Sequence, residues 1–236
     1  MMKKTIFIIL SGFVISFITI ILVMLFYNFM SKIGVSEFME RDRAYDILEQ
    51  TVRTYKDELT WAFNNFQRSN YGFNIPFDKF SLIFSYPDAK NYVYAALGYD
   101  SVVVNKLSKI INSLDLTSND MTGDIKVVYD LLYLLKKIIV PIDEILNEHL
   151  SDSNLTKISA SKDAGTISLI TFNLKRAIAR KEDLVLQIIR QILLIDLISE
   201  KQTILQALKS IVNNGNINSD IRLVREMSKR ILKLVK

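Results

Sequence analysis

Apolar residues recur along most of this chain at intervals of three and four, the spacing of one face of an α-helix. The clearest run consists of Tyr45, Leu48, Val52, Tyr55, Leu59, Ala62 and Phe66. It predicts one long helix from Ser36 to about Asn70, with a continuous apolar seam along one side. Alternating patterns typical of strands are nearly absent. The predicted fold class is therefore all-α, with the helices packed as a bundle.

Glycine, proline and polar residues divide the rest of the pattern into further helices. We expect these over residues 87–98, 101–114, 124–150, 151–158 and 165–213, with a last amphipathic helix after a turn at 213–216. Either Asp100 or Ser101 is expected to cap its helix, and Pro141 to kink another. Residues 199–202 read SEKQ, which matches a capping box and predicts a break within 165–213.

The N-terminal segment of the chain is long and uncharged. From Thr5 to Ser31 there are 27 residues without a charge, more than the roughly 20 that cross a bilayer. A cleaved signal peptide has a shorter apolar stretch and a small-residue cleavage site, and a lipoprotein leader needs a cysteine, which this chain lacks. We therefore expect residues 1–31 to form an uncleaved transmembrane anchor. Because two lysines precede the apolar run, the positive-inside rule places residues 32–236 outside the cytoplasm as one domain.

Residue types that carry chemistry are scarce. The lack of cysteine excludes disulfides and thiol chemistry, and no glycine-rich phosphate loop occurs. Carboxylate pairs such as Asp57 and Glu58 are adjacent in sequence and do not share a helix face. The single histidine, His149, is either a metal ligand with Glu148 or Asp152, or a histidine that favours the helix C-terminus; we favour the second. We expect no enzymatic activity, no cofactor and no metal site.

Aromatic residues are concentrated in one part of the chain, since 12 of the 24 lie between residues 61 and 99. They are interpreted either as anchors for a protein partner or as rings that hold an irregular loop onto the bundle. The second interpretation is favoured. If the first holds, the candidate contacts are Tyr71, Phe73 and Phe77.

Positive charge is concentrated at the C-terminus. Although the net charge is only +5, residues 221–236 hold six Lys or Arg and one acid, Glu226. Such a helix binds an acidic protein, binds anionic lipid headgroups, or simply presents a solvated face; the last is favoured. Nucleic acid is not expected, because no stacking or groove-reading motif accompanies the charge. The candidate contacts are Arg222, Arg225, Lys229 and Arg230.

Two short sequence motifs in the chain are the basis of a resemblance to a known protein family. Residues 92–100 read YVYAALGYD, and residues 149–158 read HLSDSNLTKI, followed by SKD at 161–163. Over residues 75–195 the chain resembles the Borrelia surface-antigen family that includes the complement-regulator-acquiring surface proteins. The resemblance implies a non-enzymatic all-α bundle on the spirochaete surface, with ligands that differ between members. It also implies architectural roles, with Gly98 as a helix stop and Asp100 and Ser151 as caps.

Two functions follow as expectations. The first is a membrane-anchored surface antigen that binds a host protein, a complement regulator or similar, through helix faces and loops and not through a pocket. The second is a periplasmic structural or sensory module on an inner-membrane helix. The resemblance favours the first, whereas the lack of the lipoprotein cysteine favours the second. The sequence leaves the oligomeric state open, with a homodimer as one option.

Overall fold

The computed structural model describes the backbone of residues 2–69, 72–84, 86–117 and 122–236. Within these ranges the side chains of residues 2–20, 27–35, 81, 82 and 87 lie outside the description. Every regular element of the described part is helical, which confirms the all-α prediction. The α-helices are α1 (Met2–Arg68), α2 (Ser81–Phe84), α3 (Pro87–Ala95), α4 (Ser101–Asn112), α5 (Gly123–Asp143), α6 (Asp152–Ser161), α7 (Ala164–Leu194), α8 (Lys201–Val212) and α9 (Gly215–Val235).

Helix α1 contains the predicted seam. Leu48, Val52, Tyr55 and Phe66 are buried, and the helix packs mainly against α7. The predicted anchor over residues 5–31 falls in the same helix, but most of its side chains lie outside the described residues. Among the described residues, no helix has the length and hydropathy to cross a bilayer.

Helix α7 lies at the centre of the bundle. Its most extensive partner is α9, followed by α1, and it also contacts α4, α5 and α8. The stripe predicted for α9 is buried against these neighbours, as Ile221, Val224, Met227 and Ile231 are each at most 5% exposed. Because the apolar side of α9 packs in the core, its charged side faces solvent.

A sharp turn at residues 98–100 joins α3 to α4. Gly98 and Tyr99 both have positive φ, +66° and +55° respectively, which reverses the chain after α3. Asp100 then caps α4, accepting hydrogen bonds from the backbone N–H groups of Val102 (2.8 Å) and Val103 (3.2 Å). The predictions of Gly98 as a helix stop and Asp100 as a cap are confirmed. Ser151 stands at the N-cap position of α6, but its side chain makes no capping bond.

The structure changes helix type where a kink was predicted. Pro141 lies in the last turn of α5, and residues Glu144–His149 follow as a π-helical turn. Proline has no N–H and leaves one carbonyl of the preceding turn without its helical partner. The turn closes with a 2.8 Å bond from the N–H of Leu150 to the carbonyl of Ile145, a spacing of five residues.

The break between α7 and α8 falls at residues 195–200, as predicted, but the capping box is wrong. The N-cap of α8 is Glu200, not Ser199, and its side chain makes no capping bond. The connection is instead a local turn in which the N–H of Ile198 donates to Oδ1 of Asp196 at 3.0 Å.

Candidate interaction surfaces and a polar cavity

The predicted basic residues of α9 form one exposed face. Arg222, Arg225, Lys229 and Arg230 are all exposed, on the opposite side from the buried stripe. The spacing of the stripe fixes this arrangement, because side chains three and four residues apart share a face. The structure therefore brings the four candidate cations onto one helix surface, which we call the α9 basic face.

The α9 basic face also contains one carboxylate, the exposed Glu226, four residues from both Arg222 and Arg230. Among the described residues, no carboxylate lies within ion-pair distance of its four cations. Asp220, one turn earlier, pairs instead with Arg180 of α7 at 3.5 Å. The four cations outnumber Glu226, so the face keeps a net positive charge that attracts negatively charged partners over roughly the Debye length of about 8 Å at physiological salt.

The aromatic residues between 72 and 84 pack against other aromatic rings of the bundle. Phe77 is only 5% exposed and contacts the rings of Phe84 and Tyr94. Phe73 is half-buried and stacks on Phe66 with 5.4 Å between ring centroids. Phe77 is therefore too buried to contact a partner, and its selection as a contact residue is corrected. Its burial favours the interpretation that these rings hold the loop onto the bundle. Tyr71, the third candidate, lies outside the described residues.

Two aromatic side chains of the cluster between residues 61 and 99, other than the three candidate contacts, are exposed. Trp61 is 70% exposed and Tyr86 is 71% exposed. Trp61 lines a shallow groove with the turn that contains Gly98 and Asp100. Its position could have been found from the seam of α1, since it falls between the inward positions Leu59 and Ala62. An exposed tryptophan is among the strongest anchors in protein interfaces.

His149 is a buried structural histidine in this fold. Its Nε2 lies 3.2 Å from Oγ of Ser228, and that hydroxyl lies 3.4 Å from Oε2 of Glu144, to which it donates. These contacts connect the π-helical turn to α9. Within the described ranges, no three histidine or carboxylate side chains form a group able to hold a metal ion.

A half-open cavity of about 320 Å³, with a mostly apolar wall and a few polar groups, lies between α1, α3, α5 and α7. On one wall, Asp143 accepts hydrogen bonds from the Tyr92 hydroxyl and from the Asn147 amide, each at 2.8 Å. Burial and this bond to Asp143 raise the pKa of the Tyr92 hydroxyl. On another wall is Lys181, which is 7% exposed and whose pKa is lowered by burial.

Sequence reasoning missed this cavity, although one signal was present. Lys181 occupies the inward register of α7, four residues after Ala177 and three before Leu184, both of which are buried. A lysine in an apolar stripe is rarely buried without a reason. Tyr92 and Asp143 lie 51 residues apart, and nothing local indicates that they meet.

Comparison of the chain with protein-family models and with curated proteins gives no match.

Proposed function

We propose that this protein is a membrane-anchored, non-enzymatic helical module that binds a host protein, a complement regulator or similar, through an acidic surface of that partner. The observation that carries the proposal is the α9 basic face, four exposed cations on one packed helix without ion-pair partners among the described residues. Such a face recognises an acidic surface by charge complementarity and accelerates encounter with it.

The geometry of α1 supports anchoring at the N-terminal end. The apolar residues 5–31 and the seam that begins near Ala44 belong to one helix, Met2–Arg68. Ala44 is the first core residue among the described side chains, and a helix from Ser31 to Ala44 extends about 20 Å. Residues 36–40 between them are exposed. This stem would hold the bundle away from the bilayer and leave its faces free for a partner.

A charge-reversal experiment tests the binding face. The full-length variant R222E/R225E/K229E/R230E should lose binding to serum proteins and to purified complement regulators. The matched control K109E/K157E/R190E/K209E changes the net charge equally, at exposed positions of four other helices. Binding measured by interferometry at low and high salt should fall only in the first variant. Equal binding by both variants would reject the basic face, and binding to anionic vesicles alone would assign it to lipid.

A second candidate is the periplasmic structural or sensory module. The uninterrupted course of α1 favours it, because a helix without a break would transmit displacement from the membrane segment directly to the core seam. Protease treatment of intact cells separates the two candidates. Cleavage of the bundle on intact cells supports the surface antigen, whereas cleavage only after the outer membrane is opened supports the periplasmic module.

A further inference from the structure

The cavity between α1, α3, α5 and α7 has the dimensions and composition of a small-molecule site. Its volume of about 320 Å³ is at the lower end of the range of roughly 300–1,000 Å³ found for ligand pockets. Most of its wall is apolar, and a few polar groups converge on it. The apolar contributors include Leu59, Phe63, Ile139, Ile142 and Leu146.

Lys181 is the polar group of this cavity that the protein leaves without a partner. Its side chain is buried, yet no carboxylate of the described chain lies within ion-pair distance of Nζ. The contact recorded for its ammonium is the ring of Tyr55, with Nζ 5.9 Å from the ring centroid. Nζ itself is not sealed from solvent, and Lys181 lines the cavity, so an anion that enters the cavity can reach the ammonium.

Asp143 lines the same cavity but forms no ion pair with Lys181. Its Oδ2 accepts from the Tyr92 hydroxyl and its Oδ1 from the Asn147 amide, so each oxygen already has a donor within the protein. Lys56 of α1, which is half-buried, adds a second cation to the wall. With two cations, Lys56 and Lys181, and one carboxylate, Asp143, the lining carries a net positive charge, which favours an anion.

From this asymmetry we infer that the cavity binds a small monocarboxylate with an apolar body. The carboxylate would accept charge-assisted hydrogen bonds from Nζ of Lys181, and the hydrocarbon part would lie against the apolar wall. A fully polar anion such as inorganic phosphate would leave that wall unmatched. The inference concerns a site separate from the α9 basic face and does not depend on the proposed function.

The charges around Lys181 set the pH dependence of such binding. Glu182 on its own helix raises the pKa of Lys181, but burial outweighs it and the net shift is downward. The other titratable groups that line the cavity are Lys56, Tyr92, Tyr99 and Asp143, while Tyr55 faces Lys181 from α1. Because a bound carboxylate stabilises the ammonium, affinity should fall as the pH rises through the pKa of the free protein.

Calorimetric titration of the full chain in detergent with benzoate tests the inference, with benzamide as the neutral probe of the same shape. We expect saturable 1:1 binding of benzoate and binding of benzamide roughly tenfold weaker or more, since one charge-assisted bond is lost. K181M keeps the side-chain length and removes the charge, and should weaken benzoate binding by a similar factor. The control K175M changes an exposed lysine of the same helix and should bind as the wild type does.

Thermal unfolding provides a second readout, because a ligand that binds the folded state raises Tm. Benzoate should raise the Tm of the wild type and of K175M but not that of K181M. The inference is overturned if benzoate shows no saturable binding up to about 10 mM. It is equally overturned if benzamide binds as tightly as benzoate, or if folded K181M binds benzoate with unchanged affinity.

Discussion

The hydroxyl of Tyr92 donates a 2.8 Å hydrogen bond to Oδ2 of Asp143 and so connects α3 to the end of α5. The contact lies where α5 gives way to the π-helical turn, two residues after Pro141. Asn147, within that turn, donates to the other oxygen of the same carboxylate. Asp143 therefore connects α3, the end of α5 and the π-helical turn through its two oxygens. It lies at the wall of the cavity that Lys181 also lines.

Replacing Tyr92 by phenylalanine should destabilise the fold through this bond. Y92F leaves Oδ2 of Asp143 without its donor, and we expect a loss of about 1 kcal/mol in the free energy of unfolding. Urea denaturation followed by circular dichroism measures it. Y86F is the matched control, because Tyr86 is 71% exposed and should be neutral. Equal stabilities for the two variants would show that the Tyr92 contact contributes nothing.

Alkaline pH should destabilise the protein through its tyrosines. Burial raises the pKa of Tyr55 and Tyr92 and also of Tyr94 and Tyr99. The folded state therefore holds these protons more tightly than the unfolded chain does. Their contribution is fully present below the ordinary tyrosine value of about 10 and is lost as the pH rises towards the folded pKa values. Unfolding free energies measured between about pH 8 and pH 11 should fall, and fall less steeply in Y92F.

The two capping positions implied by the family resemblance should differ in energy. D100A removes an acceptor for the N–H groups of Val102 and Val103 and should cost about 1 kcal/mol. Ser151 occupies the same position at α6, but its side chain makes no capping bond, so S151A should cost much less. Thermal and urea unfolding of both variants decides the matter, and a larger loss in S151A would contradict the described cap geometry.

Gly98 should be intolerant of a side chain for conformational and not steric reasons. A Cβ there would lie 3.7 Å from Cδ1 of Ile189, an ordinary contact, but the φ of +66° disfavours any L-residue. G98A should therefore cost about 1 kcal/mol or slightly more. The control G215A lies in the first turn of α9, where a Cβ meets nothing within 4 Å, and should be neutral or stabilising. Loss of stability in G215A but not in G98A would contradict this account.

Elements set by local spacing could be predicted from the sequence, whereas features set by distant contacts could not. The seam of α1 and the stripe of α9 follow from intervals of three and four residues, and both are buried. The start of α8 is joined to α5 by a contact that has no local signature in the sequence. Nζ of Lys201 lies 2.7 Å from Oδ2 of Asp124, the same oxygen that accepts the N–H of Asp115 at 2.9 Å. The SEKQ motif therefore predicted the break before α8 correctly but not the residue at its N-cap.

The same distinction applies to the candidate sites. The exposure of Arg222 and its neighbours follows from the stripe on the opposite side of α9. The burial of Phe77 does not, because it depends on Phe84 and Tyr94 closing over the ring. The cavity depends on side chains from α1, α3, α5 and α7 that only the tertiary fold brings together.

When no ligand is bound, Lys181 should lower the stability of the fold. Since the Lys181 side chain is largely buried and its ammonium has no ion-pair partner among the described residues, its removal should not weaken the fold. K181M should be more stable than the wild type near neutral pH, because burial of the side chain lowers the pKa of Lys181 and so disfavours its charged form in the folded state. Urea denaturation in the absence of carboxylates measures the difference, and K175M, at an exposed position, should lie close to the wild type.

The pH dependence of that difference distinguishes a buried charge from a simple change of packing. Burial holds the pKa of Lys181 below that of the unfolded chain, so the folded state binds fewer protons between the two values. The unfavourable contribution of Lys181 to the free energy of unfolding is complete below its pKa in the folded state. It disappears as the pH rises to the pKa of the unfolded chain, about 10.4. The advantage of K181M should therefore shrink steadily towards that pH. A constant advantage would indicate packing alone, and a loss of stability in K181M would show that Lys181 has a stabilising partner.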